Sequence, residues 1–181
     1  MTIHFGDSTS IATATGLGAN LINSAQVIKT SASGFNVSEG GTSSDAISTT
    51  YAASSSSNKL LVMCSLTVGL DFGGRIGCNL YINGSVESAM IADTSGNITR
   101  RTSGEHAGSQ YNISNICFNY LKSSPNTSSV TYSVRLGQGD NGTRNVYINR
   151  PHNEPNESYQ MRGTSTITIL ELSTWHTILE Q

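Results

Sequence analysis

One stretch of the sequence has the spacing of a phosphate-binding loop. The residues GQGDNG at 137–142 fit the pattern G-x-G-x-x-G, which in dinucleotide-binding proteins opens a helix. That loop binds phosphate because the free amide groups of the helix N-terminus lie behind the glycines. Here the following residues, TRNVYINR, alternate as a strand does. We therefore interpret 137–142 as a hairpin loop, and we expect no nucleotide and no other cofactor.

The remaining reactive side chains lack the spacing that catalysis or metal binding requires. The sequence has no G-x-S-x-G nucleophile elbow, and its few acidic residues are scattered rather than paired as in a glycoside hydrolase. None of its histidines forms an H-E-x-x-H pattern; they are His4, His106, His152 and His176. We predict no catalytic residue and no metal ligand, and hence a protein that is not an enzyme.

The three cysteines, Cys64, Cys78 and Cys117, each lie in a strand-like run. They have no C-x-x-C spacing, which argues against a zinc site. We predict reduced, buried thiols that pack as small apolar side chains.

Composition narrows the class of partner. Charged residues make up 12% of the chain, about half the usual share, and the net charge is −2. A basic surface for nucleic acid or an anionic membrane is therefore not expected. The sequence has no apolar run of about 20 residues that could span a membrane, and MTIHFGDSTS does not resemble a signal peptide.

Short alternating runs separated by turn signals predict an all-β fold, a single antiparallel β-sandwich over 25–173. The dipeptide Asn83-Gly84 is a strong hairpin signal. We expect 31–44 to be a loop. The predicted strands cover 25–30, 45–53, 59–70, 75–83, 86–92, 110–121, 130–136, 144–150 and 164–172.

Two of these strands carry apolar residues on both faces. Over 164–172, Ile167 and Ile169 alternate with threonines and point to the core, whereas two leucines follow on the threonine side. The strand over 59–70 also has two apolar residues on its outer side. Because the chain has no spare helix to cover them, we predict a contact with a neighbouring copy. The predicted subunit interface consists of Leu61, Met63, Leu170 and Leu172.

The chain termini and one loop are candidates for contacts with other molecules. The sequence predicts that residues 1–24 form an extended arm and that residues 174–181 form a C-terminal tail. The arm is either a disordered leader or a particle-attachment segment. Its candidate attachment residues are Ile3, Phe5, Ile11 and Leu17.

The loop at 150–163 concentrates charge in a charge-poor chain, and it is either a recognition loop or a solvated connector. Its candidate recognition residues are Arg150, His152, Glu154, Glu157, Tyr159 and Arg162. A second polar loop covers 93–109.

Several segments taken in order resemble small virion proteins of tailed phages, which are common among phages of cyanobacteria. These segments are MTIHFGDSTSI, DTSGNITRRTSG, SPNTSSVTYSVRL, VYINR and RGTSTITILEL. The resemblance covers nearly the whole chain and implies a TNF- or C1q-like jelly roll, usually trimeric and displayed on the virion. The charged loop at 150–163 and the tail STWHTILEQ depart from the pattern.

Two functions follow as expectations. The first is a homotrimeric structural module, a capsid decoration or a short tail-fibre appendage, that binds other virion proteins of the capsid, portal, neck or tail through its arm. The alternative is a lectin-like, receptor-binding head of a tail fibre that recognises a host surface glycan. The sandwich and the arm leave no room for a fibre shaft, which favours the first.

Overall fold

The structure is a computed structural model that describes residues 3–4, 10–11, 21–71, 74–96, 98–123, 125–154 and 161–173. Within these residues the regular structure is strand, apart from one 3-10 turn at Ser88–Met90. The strands are β1 (Ile3–His4), β2 (Ser10–Ile11), β3 (Leu21–Lys29), β4 (Ser33–Val37), β5 (Thr42–Tyr51), β6 (Lys59–Leu70), β7 (Gly74–Ile82), β8 (Ser85–Val86), β9 (Ser103–Ala107), β10 (Ser114–Ser123), β11 (Val130–Gln138), β12 (Arg144–Ile148) and β13 (Ser165–Leu172).

The strands form two main antiparallel sheets, which confirms the predicted all-β sandwich. In the first sheet β13 pairs with β3 and β6, and β10 pairs with the other edge of β6. The end of β6 also pairs with β12, which pairs in turn with β4. In the second sheet β11 lies between β5 and β7, and β7 pairs further with β8 and β9.

The eight principal strands pair as one long hairpin. The first pairs with the last, β3 with β13, and the second with the seventh, β5 with β11. The third pairs with the sixth, β6 with β10, and the fourth with the fifth, β7 with β9. Each strand therefore depends on a partner that is distant in sequence, except at the β7–β9 end. Rolling this hairpin produces the two layers.

The core lies between the two sheets and consists of the alternate residues that point inward. β6 contributes Leu60, Val62 and Leu66, which are fully buried. Ile167 and Ile169 of β13 are also fully buried, as predicted. Burial of one such side chain stabilises the fold by roughly 1.5–3 kcal/mol. The two-residue period of the sequence thus correctly identifies the inner face of the central strands.

Two of the three thiols pack in this core. Cys64 and Cys78 are buried and reduced, and burial raises the pKa of both, that of Cys78 to about 12. Cys117 is also reduced, but it is exposed, so its predicted burial is wrong. Cys117 lies opposite Ser65 on the outer side of the first sheet, because β10 buries the neighbouring positions Ile116 and Phe118 instead.

Four segments differ from the predicted strand pattern. The hairpin loop predicted over 137–142 is wrong, because β11 continues to Gln138 and β12 pairs with β4 and β6 in the other sheet rather than with β11. The strand predicted over 86–92 is wrong, because β8 ends at Val86 and the carboxylate of Glu87 accepts a hydrogen bond from the amide of Ala89 at the start of the 3-10 turn. The predicted loop over 31–44 contains β4, and the polar loop over 93–109 contains β9. Both are edge strands whose ladder hydrogen bonds use the backbone, so they need no apolar alternation. β3 begins at Leu21, four residues before the predicted start of the sandwich.

A buried carboxylate joins β13 to the connection between β5 and β6. Glu171 is fully buried on the core side and accepts hydrogen bonds from the Tyr51 hydroxyl at 2.8 Å and from the side-chain amide of Asn58 at 2.6 Å. Its other donors are the backbone amide and the side-chain hydroxyl of Ser54, at 2.8 and 2.7 Å. Burial alone would raise the pKa of Glu171, but these hydrogen bonds outweigh it and lower the pKa to about 2. Burial and the same carboxylate raise the pKa of Tyr51.

Glu171→Gln should lower the free energy of unfolding at pH 7 by roughly 2–4 kcal/mol, because an amide cannot accept four hydrogen bonds as a carboxylate does. The pKa of Glu171 is lower in the folded protein than its ordinary value of 4.5. Its contribution is therefore complete above about pH 4.5 and is lost as the pH falls towards 2.

Denaturant unfolding at pH 7 and pH 3 measures this effect. The difference between wild type and Glu171→Gln should be smaller at pH 3, whereas the exposed Glu105→Gln control should match wild type at both values. A difference that is unchanged between the two pH values would contradict the assignment of Glu171 as a buried carboxylate.

Candidate functional site

In the part of the first sheet that β10, β6, β13 and β3 form, the outer face, the side away from the core, contains four cross-strand rows. Each row takes one residue from β10, β6, β13 and β3, in that order. The rows are Ser123–Lys59–Leu172–Leu21, Leu121–Leu61–Leu170–Ser24, Asn119–Met63–Thr168–Gln26 and Cys117–Ser65–Thr166–Ile28. All four predicted interface residues therefore lie on one continuous surface, and Leu61 lies directly opposite Leu170.

This face is unusually poor in charge. Lys59, in an end row, is the only charged residue among the sixteen positions of the four rows. The predicted interface residues are half-buried in the single chain, and the apolar residues around them are more exposed, with Leu121 at 48% and Ile28 at 58%. The apolar part of this surface, Leu121–Leu61–Leu170 with Leu172 and Leu21 in the adjacent row, crosses four strands, and an exposed apolar cluster of this kind is typical of an interaction site.

The loop at 150–163 brings together four of its six candidate residues. Glu154 accepts two hydrogen bonds from Arg162, at 2.9 and 2.8 Å, and one from Arg150 at 3.2 Å. His152 lies 2.7 Å from the hydroxyl of Tyr147. Burial would raise the pKa of Glu154, but the two arginines lower it. Glu157 and Tyr159 lie outside the described residues.

The base of this loop is closed by a buried amide. Asn149 is fully buried, and its side chain donates to the carbonyls of Lys29 at 2.7 Å and Ser31 at 3.0 Å. Its side-chain oxygen accepts from the Ser165 hydroxyl at 2.6 Å. Because its charges are mainly paired with one another, the described part of the loop has the character of a structural connection more than of an open recognition site.

The described residues leave most of the arm untested. Phe5 and Leu17 lie outside them, and for Ile3 and Ile11 only the backbone is described, with the two residues paired between β1 and β2. The attachment role of the arm therefore stays a prediction.

A groove of about 890 Å³ lies on the outer face of the second sheet. Gly77 of β7 lines the groove and pairs with Gly137 of β11, so that two neighbouring positions lack side chains. The side chain of Arg101 occupies this space: a Cβ atom on Gly137 would lie 2.5 Å from the guanidinium, and one on Gly77 2.8 Å from the aliphatic stem. The two glycines are therefore needed to seat Arg101.

The guanidinium of Arg101 is held at one nitrogen only. Its Nη2 donates to the carbonyls of Gly41 at 2.8 Å, Gly40 at 3.2 Å and Gln138 at 3.4 Å. Among the residues that the structure describes, Nε and Nη1 have no hydrogen-bond partner, and no carboxylate pairs with this cation. Burial lowers the pKa of Arg101, while Tyr81 and Cys78 act in the opposite direction.

Sequence reasoning did not identify Arg101. It lies in the polar loop predicted over 93–109, but nothing in its neighbourhood marks it as the residue that enters the groove. The available signal was two glycines inside strands, Gly77 and Gly137, since a glycine in a strand often marks close approach by another group.

Two absences among the described residues concern groups of metal-binding side chains and membrane-spanning helices. No group of three histidine, cysteine or acidic residues there could hold a metal ion. No helix among the described residues is long and apolar enough to cross a membrane.

Comparison with known proteins identifies no family. No protein-family model matches the chain, and no curated protein matches it. A solved structure of infectious bursal disease virus, Gx strain, is similar over 83% of this chain, with 14% identity and a TM-score of 0.40. The similar region covers 41% of that viral chain, so this chain spans less than half of its length. We therefore base the function on the geometry of this chain.

Gly137→Ala should displace Arg101, because the new methyl group would occupy the position of its guanidinium. We expect the free energy of unfolding to fall by about 1–3 kcal/mol through lost hydrogen bonds and crowding. Gly108→Ala is the matched control, because a Cβ atom there would meet nothing within 4 Å. Thermal unfolding of both variants provides the test, and equal melting temperatures would contradict the packing of the Arg101 side chain against Gly137.

Proposed function

We propose that this chain is a non-enzymatic structural protein of a virion, a homotrimeric module displayed on the surface of a tailed-phage particle. The outer face of the first sheet is the proposed contact between subunits, and the arm is the proposed attachment to capsid, portal, neck or tail. The observation that supports this assembly is the row Leu121–Leu61–Leu170, which crosses three adjacent strands among four rows that contain one charged residue.

A second copy of the chain is the occupant that fits this face best. The four rows are made of regular strands, and Lys59 is the only charged residue among their sixteen positions, so they offer little charge with which to select a partner of opposite charge. Covering each half-exposed leucine would stabilise the assembly by roughly 1 kcal/mol, so that several such side chains in each subunit favour association. The trimeric state is what the phage resemblance implies, and the hairpin-like pairing of the eight principal strands supports its jelly-roll fold.

The outer face of the second sheet has the opposite character, which supports its display towards solvent. Arg135 pairs with Asp45 at 2.7 Å, and its guanidinium lies 4.1 Å from the centre of the Tyr81 ring. Nearby positions of β5, such as Ser48 and Thr50, are small, polar and exposed. In a module attached to a particle, we expect this face to remain accessible.

The alternative is a receptor-binding head that recognises a host surface glycan. The groove on the second sheet favours it, because it lies on the face that the proposed trimer would leave free. The charged loop at 150–163 supports it less, since the described charges pair within the loop.

Purified wild-type protein should have about three times the 19.1 kDa chain mass in multi-angle light scattering. The double variant Leu61→Asp, Leu170→Asp should be monomeric or fail to accumulate in soluble form, because it would bury two unpaired charges between subunits. Thr50→Asp on the exposed outer side of β5 is the control and should remain trimeric. A double variant that stays trimeric with an unchanged melting temperature would refute the interface.

Removing residues 1–20 should leave folding and trimerisation intact but abolish incorporation into particles. The deletion ends before Leu21 because β3 begins there and Leu21 pairs with Leu172 of β13. Quantifying the protein in purified virions tests this, with the full chain as the reference. Normal occupancy of the truncated protein would show that the arm is not the anchor.

A further inference from the structure

The groove on the second sheet contains a cation without a described counter-ion. Arg101 is half-buried and lines the groove, and three backbone carbonyls hold its Nη2, while Nε and Nη1 have no hydrogen-bond partner among the described residues. By contrast, Arg75, Arg135, Arg150 and Arg162 each pair with a carboxylate. Partial burial of a guanidinium without an anionic partner is unfavourable, and a bound anion would compensate for it.

The walls of the groove restrict the kind of anion. Glu39 and Glu105 line it, and their negative charges would repel a polyphosphate or another densely charged ligand. The same carboxylates accept hydrogen bonds from hydroxyl groups. Ile98 also lines the groove and is 69% exposed, so it offers an apolar surface to the face of a sugar ring.

We propose that this groove binds an acidic saccharide and that Arg101 holds the sugar carboxylate through its Nε and Nη1 groups. A uronic or sialic acid unit combines the features that the groove can recognise: one carboxylate, several hydroxyls and an apolar ring face. Arginine suits this role because its planar guanidinium can donate two parallel hydrogen bonds to one carboxylate. The volume of about 890 Å³ lies within the range of small-ligand sites.

The positions of the two glycines explain how the site is built. Gly77 and Gly137 let Arg101 lie flat against the sheet, so the guanidinium is fixed before the ligand arrives. Arg75 and His106, which face each other between β7 and β9, line the same groove. This inference concerns a different face from the proposed subunit interface, so the failure of either proposal would leave the other standing.

Titration calorimetry at millimolar ligand tests the proposal with two acidic probes and their neutral counterparts. The probes are trigalacturonate against its methyl ester, and 3′-sialyllactose against lactose. We expect at least one acidic probe to bind the wild-type protein and its neutral counterpart to bind at least ten-fold more weakly. Arg101→Gln should weaken binding of that acidic probe by about ten-fold or more.

Two variants separate ligand binding from folding. Arg100→Gln removes the same charge from the neighbouring exposed residue, which contacts Thr94 and does not line this groove, so binding should be unchanged. Ile98→Ala should weaken binding several-fold without changing the melting temperature, because Ile98 is exposed. The proposal is overturned if neither acidic probe binds, if acidic and neutral probes bind equally, or if inorganic sulfate competes as well as the sugar. Equal loss of affinity in Arg100→Gln and Arg101→Gln would also overturn it.

Discussion

The pairing register between β6 and β13 is the constraint on which both faces of the first sheet, the core side and the outer side, depend. Ile167 pairs with Cys64 and Ile169 with Val62 on the core side, while Leu170 and Leu61 meet on the outer side. Because side chains alternate, a slip of one residue would exchange these faces completely. Glu171 opposes such a slip, since its carboxylate receives four hydrogen bonds only when it lies under the β5–β6 connection.

The burial of Glu171 shows why a charged residue can occupy the core side of a strand. An isolated carboxylate would be costly there, and burial alone would raise its pKa. Ser54 and Asn58 donate three hydrogen bonds to Oε1 and Tyr51 donates one to Oε2, so the anion is retained. The connection between β5 and β6 is consequently tied to the end of the last strand, next to the leucines of the outer face.

The two sheets present different outer surfaces because different residues interrupt their alternation. In the first sheet, leucine and methionine replace the expected polar residues at several outward positions and create an apolar cluster on the outer face. In the second sheet, Gly77 and Gly137 remove side chains altogether and admit Arg101 from a loop. One face therefore suits association between copies, and the other suits a small polar ligand; this division follows from the chemistry at a few outward-facing positions.

The sequence by itself determined the all-β class, most central strands, the inner positions of Ile167 and Ile169 and the outward direction of Leu170 and Leu172. These features are local, because a two-residue period and turn chemistry are written in consecutive residues. Tertiary structure decided that β4 and β9 are strands, that 86–92 is not, that Cys117 is exposed and that Arg101 enters a groove. Apart from the end of β8, where a local hydrogen bond to Glu87 starts the 3-10 turn, each of these depends on a partner that is distant along the chain or on the backbone of a neighbouring strand, which no local pattern of side chains encodes. Arg101 is the clearest case, since its side chain can lie against the sheet only because two glycines 60 residues apart are paired in the folded sheet.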